Sequence, residues 1–488
     1  MKVKEILNIV GGQLLSGSYE TEVGEIKQNS ANVNIGDTFI AIKGENSDGH
    51  KYLNDAIKNG ADLIIISDEK EKKENIACIL VDDTKKALED IVKYKISLSE
   101  PIIIGITGSV GKTSTKEIIY QILKEKFQVF RTPKNYNTKR GISLSLASHN
   151  ENMDFLIAEM GMDQFGQISE TSQFIKPNIA VITNIGSSHI GNLGNQENIL
   201  KAKLEILDGL KDNGLILVNN DSEKLASYAE KEKARQINLD NVEQKENSSK
   251  IKRVNVVTFG KKEGSDILIK DIKIDETGTM FIIETLGESL NFKINTFGIH
   301  NIYNLAPAIY IAKIFNLTDE EIKEAIKNIK STERRMDKFV TISNMIVYDD
   351  SYNASYESVV AALDTISSKS YYGRKVAVLG DILELGEFSE EYHRKIAKEL
   401  VKNRYNLVIT TGEASKYIID EIEKENINLE DKEKIKCYYF ENVDEINENI
   451  DNILKTDDVI LIKASHSMNF KKIADKLRKE EMDPAGYR

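Results

Sequence analysis

Tryptophan is absent from the chain and aromatic residues make up 7% of it. The stacking platforms that hold single-stranded nucleic acid are therefore not advertised. Cysteine is almost missing too. Cys78 and Cys437 are the only two, far apart and outside any CxxC pair. They can build neither a disulfide framework nor a zinc cluster, so a reducing cytoplasm is the expected setting. Long apolar runs are lacking as well. The opening stretch, MKVKEILNIVGGQLLSG, is too short and too interrupted for a signal peptide or a membrane span. Positive charge is in the minority, with a net charge of −12. That argues against a general nucleic-acid binder, whose phosphate contacts need a basic surface. Small anionic substrates stay open, because local basic loops can serve them.

What is present is a soluble, globular composition: 40% hydrophobic and 30% charged residues over 488 positions. At about 150 residues per domain, some three domains are expected. In residues 1–83, DTFIAI and ADLIIISD read as strands around the helix KYLNDAIKNGA, a small α/β domain. A helix, DDTKKALEDIVKYKISLSE, leads into a central domain over 84–331. There PIIIGITG, DFLIAEMG, NIAVITNIG and GLILVNN are continuous apolar runs, the form of parallel strands buried on both faces. Strands alternating with helices give a doubly wound sheet. Residues 235–295 look like an antiparallel β insertion. The charge-rich stretch EKEKARQINLDNVEQKENSSK reads as a solvated helix and loop. Over 332–488, MIVYDDSYN, RKVAVLGD, YNLVITTG and DDVILIKAS form a third, Rossmann-like α/β domain. Ligands of such sheets bind beyond the carboxyl ends of the strands.

The strongest chemical signal is GITGSVGKTST, residues 105–115, between a strand and a helix. It departs from a strict GxxxxGK[ST], because Ile106 stands six residues before Lys112. The context is still that of a phosphate-binding loop. Backbone N–H groups from Gly108 to Thr113 can wrap a polyphosphate at a helix N-terminus. Lys112 would reach the β- and γ-phosphates and the Thr113 hydroxyl would ligate Mg²⁺. Glu159 ends the strand DFLIAE, where a carboxylate can serve a nucleotide-bound Mg²⁺. His189 lies in a glycine-bounded loop; it is either structural or a ligand, although Mg²⁺ prefers oxygen.

Lys203 is placed oddly. It falls on the apolar stripe Ile199, Leu200, Ile206, Leu207 and Leu210 of the following helix. Two readings stand. Its stem packs while its head reaches water, or burial lowers its pKa and the neutral amine takes up CO₂ as a carbamate. A carbamate is an oxygen-donor anion that suits Mg²⁺. Asn301 and Asn304, at a helix start, can read an adenine edge or cap the helix. Arg335 could neutralise phosphate charge, and Asp349 or Asp350 could hold a ribose.

Taken in order, these motifs resemble the Mur ligases, the ATP-dependent amide-forming enzymes of peptidoglycan precursor synthesis. GDTFIAIKGENSDGHKYLNDAIKNGA, TGSVGKTSTK, NYNT, AEMG, NIGSSHIGNLGNQENILKAKLEIL, HNIYNLAPA, DDSYNAS and GDILELGEFSEEYHRKIA follow in the family's order and spacing. The resemblance covers nearly the whole chain. It implies a UDP-sugar-binding first domain, an ATP-binding central domain and a C-terminal ligase domain. ATP would lie on Thr107, Gly108, Ser109, Val110, Gly111, Lys112, Thr113 and Ser114, with Asn301 facing adenine and Arg335 and Asp350 closing over the nucleotide. Lys112, Glu159, His189 and Lys203 would be the catalytic set. Thr113 and Glu159 would serve one Mg²⁺, and His189 and a carbamylated Lys203 a second. Ser30, Asn135 and Thr138 would meet the muramyl-peptide. The substrates implied are a UDP-muramyl-tripeptide and D-Ala-D-Ala, joined through an acyl phosphate by a cytoplasmic monomer.

Three stretches depart from the family pattern. Its uridine-contacting Asp-Ser-Arg is Asn29-Ser30-Ala31 here. After NYNT the chain has Lys139-Arg140-Gly141, where a glutamate followed by Ile-Gly is usual. A KGSR-like stretch reads Lys463-Ala464-Ser465-His466. The alternative is a paralogous ligase with a different acyl or amine substrate.

Overall fold

The central strands of the three sheets are short runs buried on both faces. The computed structural model describes residues 1–44, 47–149, 151–243, 253–275, 278–294, 298–329 and 333–481. The expected boundary at 331/332 and residues 244–250 of the charge-rich stretch lie outside the described residues. The first sheet holds β1 (Gln13–Ser16), β2 (Ile26–Lys27), β3 (Thr38–Ile40), β4 (Leu63–Ile66) and β5 (Ala77–Leu80), in the order β1-β5-β4-β3-β2. Only β1 runs antiparallel to its neighbour. The Thr84–Ser99 helix follows, capped by Asp83, whose Oδ1 accepts the Lys85 N–H at 2.7 Å.

The second sheet has nine strands: β6 (Ile102–Thr107), β7 (Val129–Arg131), β8 (Phe155–Glu159), β9 (Ile179–Ile182), β10 (Gly214–Asn219), β11 (Val254–Gly260), β12 (Ile267–Asp275), β13 (Gly278–Thr285) and β14 (Glu288–Ile294). Their order is β14-β13-β12-β11-β10-β9-β6-β8-β7. From β7 to β12 every pairing is parallel; only β12–β13 and β13–β14 are antiparallel. Within the 235–295 region β12, β13 and β14 pair antiparallel as expected, while its first strand, NVVTFG, joins β10 in parallel. The reason is the charge-rich Glu223–Glu243 helix before it. That helix buries Leu225, Ala226 and Ala229 and packs on β10 and β11, so it acts as a crossover returning the chain in the same direction. β6 lies between β8 and β9, where the strand order reverses, so the loop after it opens into the crevice at the sheet's carboxyl edge.

The third sheet orders β15 (Asp337–Val340), β16 (Ile346–Asp349), β17 (Lys375–Gly380), β18 (Leu407–Thr411), β19 (Lys436–Phe440) and β20 (Val459–Lys463) as β15-β16-β20-β17-β18-β19. All neighbours but β15 are parallel. No helix among the described residues is long and apolar enough to cross a membrane.

The helix expected after His189 is broken in two, Gln196–Leu204 and Ile206–Gly209. Glu205 at the break turns outward to another helix. Its carboxylate accepts the Gly166 N–H at 2.8 Å and the Ser169 N–H at 3.2 Å, capping the Gln167–Ile175 helix. Gly209 lies against that same helix; a Cβ there would stand 1.9 Å from Ser172 O. This contact fixes the stripe that carries Lys203. Gly209→Val is therefore expected to lower stability by about 2 kcal/mol through overpacking, read as an earlier urea midpoint and faster hydrogen exchange over 196–210.

Candidate active site

The loop from Gly108 to Gly111 joins β6 to the Lys112–Leu123 helix, and its glycines are required by close approach. Gly108 has φ +146°, and a Cβ there would lie 1.9 Å from Thr183 Oγ1. Gly111 has φ +85°, and a Cβ would lie 2.6 Å from Asn304 Oδ1. A side chain at either place would push the loop off the sheet. The helix that follows presents its N-terminus to a cleft of about 1110 Å³. Lys112 is half-buried and its Nζ donates to Gly108 O at 2.8 Å and Ser109 O at 3.3 Å. Burial lowers its pKa from the ordinary lysine value.

Thr113 is the meeting point of three elements. Its hydroxyl donates to Glu159 Oε2 at 2.8 Å and accepts from Arg335 NH2 at 3.1 Å. Glu159, 3% exposed at the end of β8, also accepts from Asn137 Nδ2 at 3.3 Å. Arg335 comes from the C-terminal domain, with its guanidinium 4.3 Å from the Tyr352 ring centroid. Its buried Nε has no hydrogen-bond partner among the described residues.

The cleft brings together most of the expected residues. Ser109, Val110, Gly111, Lys112, Thr113, Ser114, Asn135, Thr138, Glu159, His189, Asn301, Arg335 and Asp350 all line it. His189 adopts φ +64° at the start of the Ile190–Leu193 helix. Glu384 Oε2 of the C-terminal domain lies 2.7 Å from its Nδ1. The oxygen is out of line with the ring nitrogen, which is left without a hydrogen-bond partner in good geometry. The contact with His189 nevertheless holds the Glu384 carboxyl below its ordinary range. Asp350 is already engaged, accepting from Lys463 Nζ at 2.5 Å and from the Met336 N–H at 3.1 Å. Asp349 is separate from it: fully buried, outside the cleft lining, and bonded to Ser351 and Arg334. Asn304 Oδ1 accepts from Thr115 Oγ1 at 3.2 Å, so Asn304 is tied to the helix after the phosphate loop. Thr138 caps a helix, its Oγ1 accepting the Gly141 N–H at 3.2 Å.

Ser30, Thr107, Gly108 and Lys203 do not line the cleft. Ser30 sits in a 3-10 turn of the first domain. Thr107 ends β6 beneath the loop, its carbonyl accepting the Thr183 N–H at 3.0 Å, and Gly108 opens the loop against Thr183. Lys203 is 1% exposed, so its head does not reach bulk water. Among the described residues no acceptor or carboxylate pairs with it, in contrast to the other two fully buried lysines. Burial, and next the nearby Lys112 cation, lower its pKa well below the ordinary lysine value.

Three contributors were not singled out from the sequence. Asn137 holds Glu159 and stood inside NYNT. Lys116, one turn after Lys112 and fully buried, donates to Thr132 O at 2.7 Å and lies 4.0 Å from Glu159; its i+4 spacing from Lys112 was the available signal. Lys463, 2% exposed, neutralises Asp350.

Comparison with known proteins matches three family models in succession along the chain. Residues 22–97 match the description "Mur ligase family, catalytic domain". Residues 106–245 and 224–312 match "Mur ligase middle domain", and 334–466 match "Mur ligase, glutamate ligase domain". A UDP-N-acetylmuramoyl-tripeptide–D-alanyl-D-alanine ligase of Bacillus subtilis (strain 168) is 32% identical over 477 residues, 97% of this chain and 98% of that one. The chain belongs to the Mur ligase family. Among solved structures, MurF of Thermotoga maritima in complex with ADP is 27% identical with a TM-score of 0.75, covering 94% of this chain and 98% of that one. MurF of Acinetobacter baumannii has the same fold, with a TM-score of 0.82 at 24% identity and 98% of both chains covered. This Mur ligase therefore has the family's three-domain architecture.

The isolated charge at Lys203 gives a pH prediction. Its pKa is lowered on folding, so the folded state resists protonation more than the unfolded chain does. The resulting penalty is complete below the folded pKa and fades as pH rises from there towards the unfolded value. In CO₂-free buffer, Lys203→Met is expected to be more stable than the parent, with an advantage that shrinks as pH rises. Urea midpoints across a pH series measure this; an advantage that grows with pH contradicts it.

Proposed function

We propose that the enzyme joins D-alanyl-D-alanine to a UDP-N-acetylmuramoyl-tripeptide with conversion of ATP to ADP and phosphate, in the cytoplasm. The observation that carries this reading is the Thr113 node, where the phosphate loop, the end of β8 and the C-terminal Arg335 meet in one cleft. Full-length similarity to the Bacillus subtilis ligase supports the choice of substrates.

The tripeptide's terminal carboxylate attacks the γ-phosphorus, the bond to the β-phosphate oxygen breaks, and ADP leaves. The acyl phosphate is then attacked by the dipeptide's free amine. The tetrahedral adduct expels phosphate, and the amine proton is lost to solvent or a nearby base. Phosphorylation is needed because a free carboxylate is a poor acyl donor at neutral pH. Lys112 and Arg335, the cations on either side of Thr113, would neutralise charge on the transferred group. Closure of the C-terminal domain would keep water from the acyl phosphate.

Thr113 Oγ1 and Glu159 Oε2, 2.8 Å apart, are oxygen donors of the kind Mg²⁺ takes. Among the described residues no three His, Cys, Asp or Glu side chains converge into a cage. That fits an ion that draws its remaining ligands from phosphate and water. Mg²⁺ would supply charge neutralisation for phosphoryl transfer. His189 is the weaker donor for such an ion, being nitrogen. Lys203 fits carbamylation by its burial, its lowered pKa and its lack of an anionic partner. The neutral amine adds to CO₂ and releases a proton, leaving an anion where the ammonium is unsupported.

A substrate-omission assay tests the main reading. ADP release is expected only when the UDP-muramyl-tripeptide and D-Ala-D-Ala are both present; release unchanged without either would sink it. Lys203→Ala is expected to lose most activity, on the order of 10²-fold, as removing a charged group that supports phosphoryl transfer does. Short carboxylic acids should restore part of it. A Lys203→Ala enzyme as active as the parent rules out the carbamate.

A further inference from the structure

The segment 184–191 makes contacts that the chemistry above leaves unused. On one side it grips the phosphate loop. The Ser109 N–H donates to Asn184 O at 3.1 Å and the Val110 N–H to Asn184 Oδ1 at 2.9 Å. In return the Gly186 N–H donates to Ser109 Oγ at 2.9 Å and Ser188 Oγ to Ser109 O at 3.3 Å. On its other side the same segment is held by the C-terminal domain. Ser187 gives both its donors to one carboxylate: its N–H to Glu357 Oε1 at 2.7 Å and its hydroxyl to Glu357 Oε2 at 3.0 Å. Four positions later the Gly191 N–H donates to Glu384 O at 2.9 Å.

This contact is built rather than incidental. Ser187 is fully buried. Gly186 presses its backbone on the same group, and a Cβ there would stand 2.6 Å from Glu357 Cδ. Glu357 is in the first turn of the Tyr356–Ser367 helix and has no cationic partner among the described residues. Its charge is met instead by an N–H and an O–H of the other domain, which is the stronger kind of hydrogen bond. If the domains part, Glu357 leaves with its helix and both donors of Ser187 lose their acceptor.

We infer that Glu357 is a positioning residue that couples occupation of the phosphate loop to closure of the C-terminal domain, acting through the segment 184–191. Ser109 has its N–H, hydroxyl and carbonyl all committed to that segment, so a polyphosphate that orders the loop also orders Ser187. Ser187 in turn receives Glu357 only when the C-terminal domain is home. Nucleotide then binds one of two domain arrangements better, which is all that a ligand needs to shift between them. The inference rests on the ligase reading for its turnover arm alone.

The test compares the parent with Glu357→Ala, Glu357→Gln and Ser187→Ala by small-angle scattering, with and without a non-hydrolysable ATP analogue and Mg²⁺, and by nucleotide calorimetry and steady-state kinetics. The parent should compact on adding nucleotide. Glu357→Ala should lose that compaction and about tenfold in kcat, the weight of a hydrogen bond to a charged group. Its nucleotide Kd should weaken too, by up to about tenfold, because closure and nucleotide affinity are reciprocally linked. Glu357→Gln, which keeps one acceptor, and Ser187→Ala, which keeps the N–H donor, should both fall between. Thermal melts of the same proteins verify folding, and Ser187→Ala carries the test if Glu357→Ala does not fold. Compaction of the variants equal to the parent's overturns the inference. So does a parent that never compacts. An inactive parent speaks against the ligase reading instead, and leaves the scattering result decisive for the coupling.

Discussion

One hydroxyl stands where the three parts of this enzyme's chemistry meet. Thr113 Oγ1 has a single proton and gives it to Glu159. Its lone pair then receives Arg335. The bond order is forced, because the carboxylate can only accept and the guanidinium can only donate. The hydroxyl thus ties the first turn of a helix to a strand end in the same domain and to an arginine from another. Its position follows from the loop before it, and the loop follows from two glycines that let the backbone pass within contact of Thr183 and Asn304. A change in any of these moves the point where transferring phosphate would meet its counter-charges.

Around that point the protein concentrates buried lysine, in a chain whose overall charge is negative. The buried lysines meet different fates. Lys463 is paired with Asp350, and Lys116 is held by backbone carbonyls with Glu117 at 3.3 Å. Each has its charge answered, as a buried ion requires. Among the described residues Lys203 has no such answer, and the Lys112 charge adds to the lowering of its pKa. Burial alone therefore does not distinguish these lysines; the absence of a partner among the described residues is what separates Lys203 from the other two.

The sequence carried the phosphate loop, the carboxylate at the end of β8 and the lysine on an apolar stripe, because each is local. A loop between strand and helix, a strand's last residue and a helical period are set by neighbours within a few positions. Long-range partners were not legible in that way. Glu357 and Glu384 meet segment 186–191 across more than a hundred intervening residues, and no spacing announces them. Local reading also grouped β11 with the antiparallel strands that follow it, because a strand looks the same whether its neighbour runs parallel or antiparallel. The direction is set by the crossover before it.

By itself the sequence determined the fold class and the order of the domains, since continuous apolar strands alternating with helices can bury themselves in few other ways. It determined as well which residue types could handle phosphate, through a glycine loop that only a strand and a helix can frame. Only the tertiary structure decided which side chains share the cleft. It put Asp350 on Lys463 rather than free, kept Ser30 out of the lining, and left Lys203 buried without an anion. The physical reason is that hydrogen bonding and desolvation depend on distances of a few ångströms between residues that the chain keeps far apart, and packing alone sets those distances.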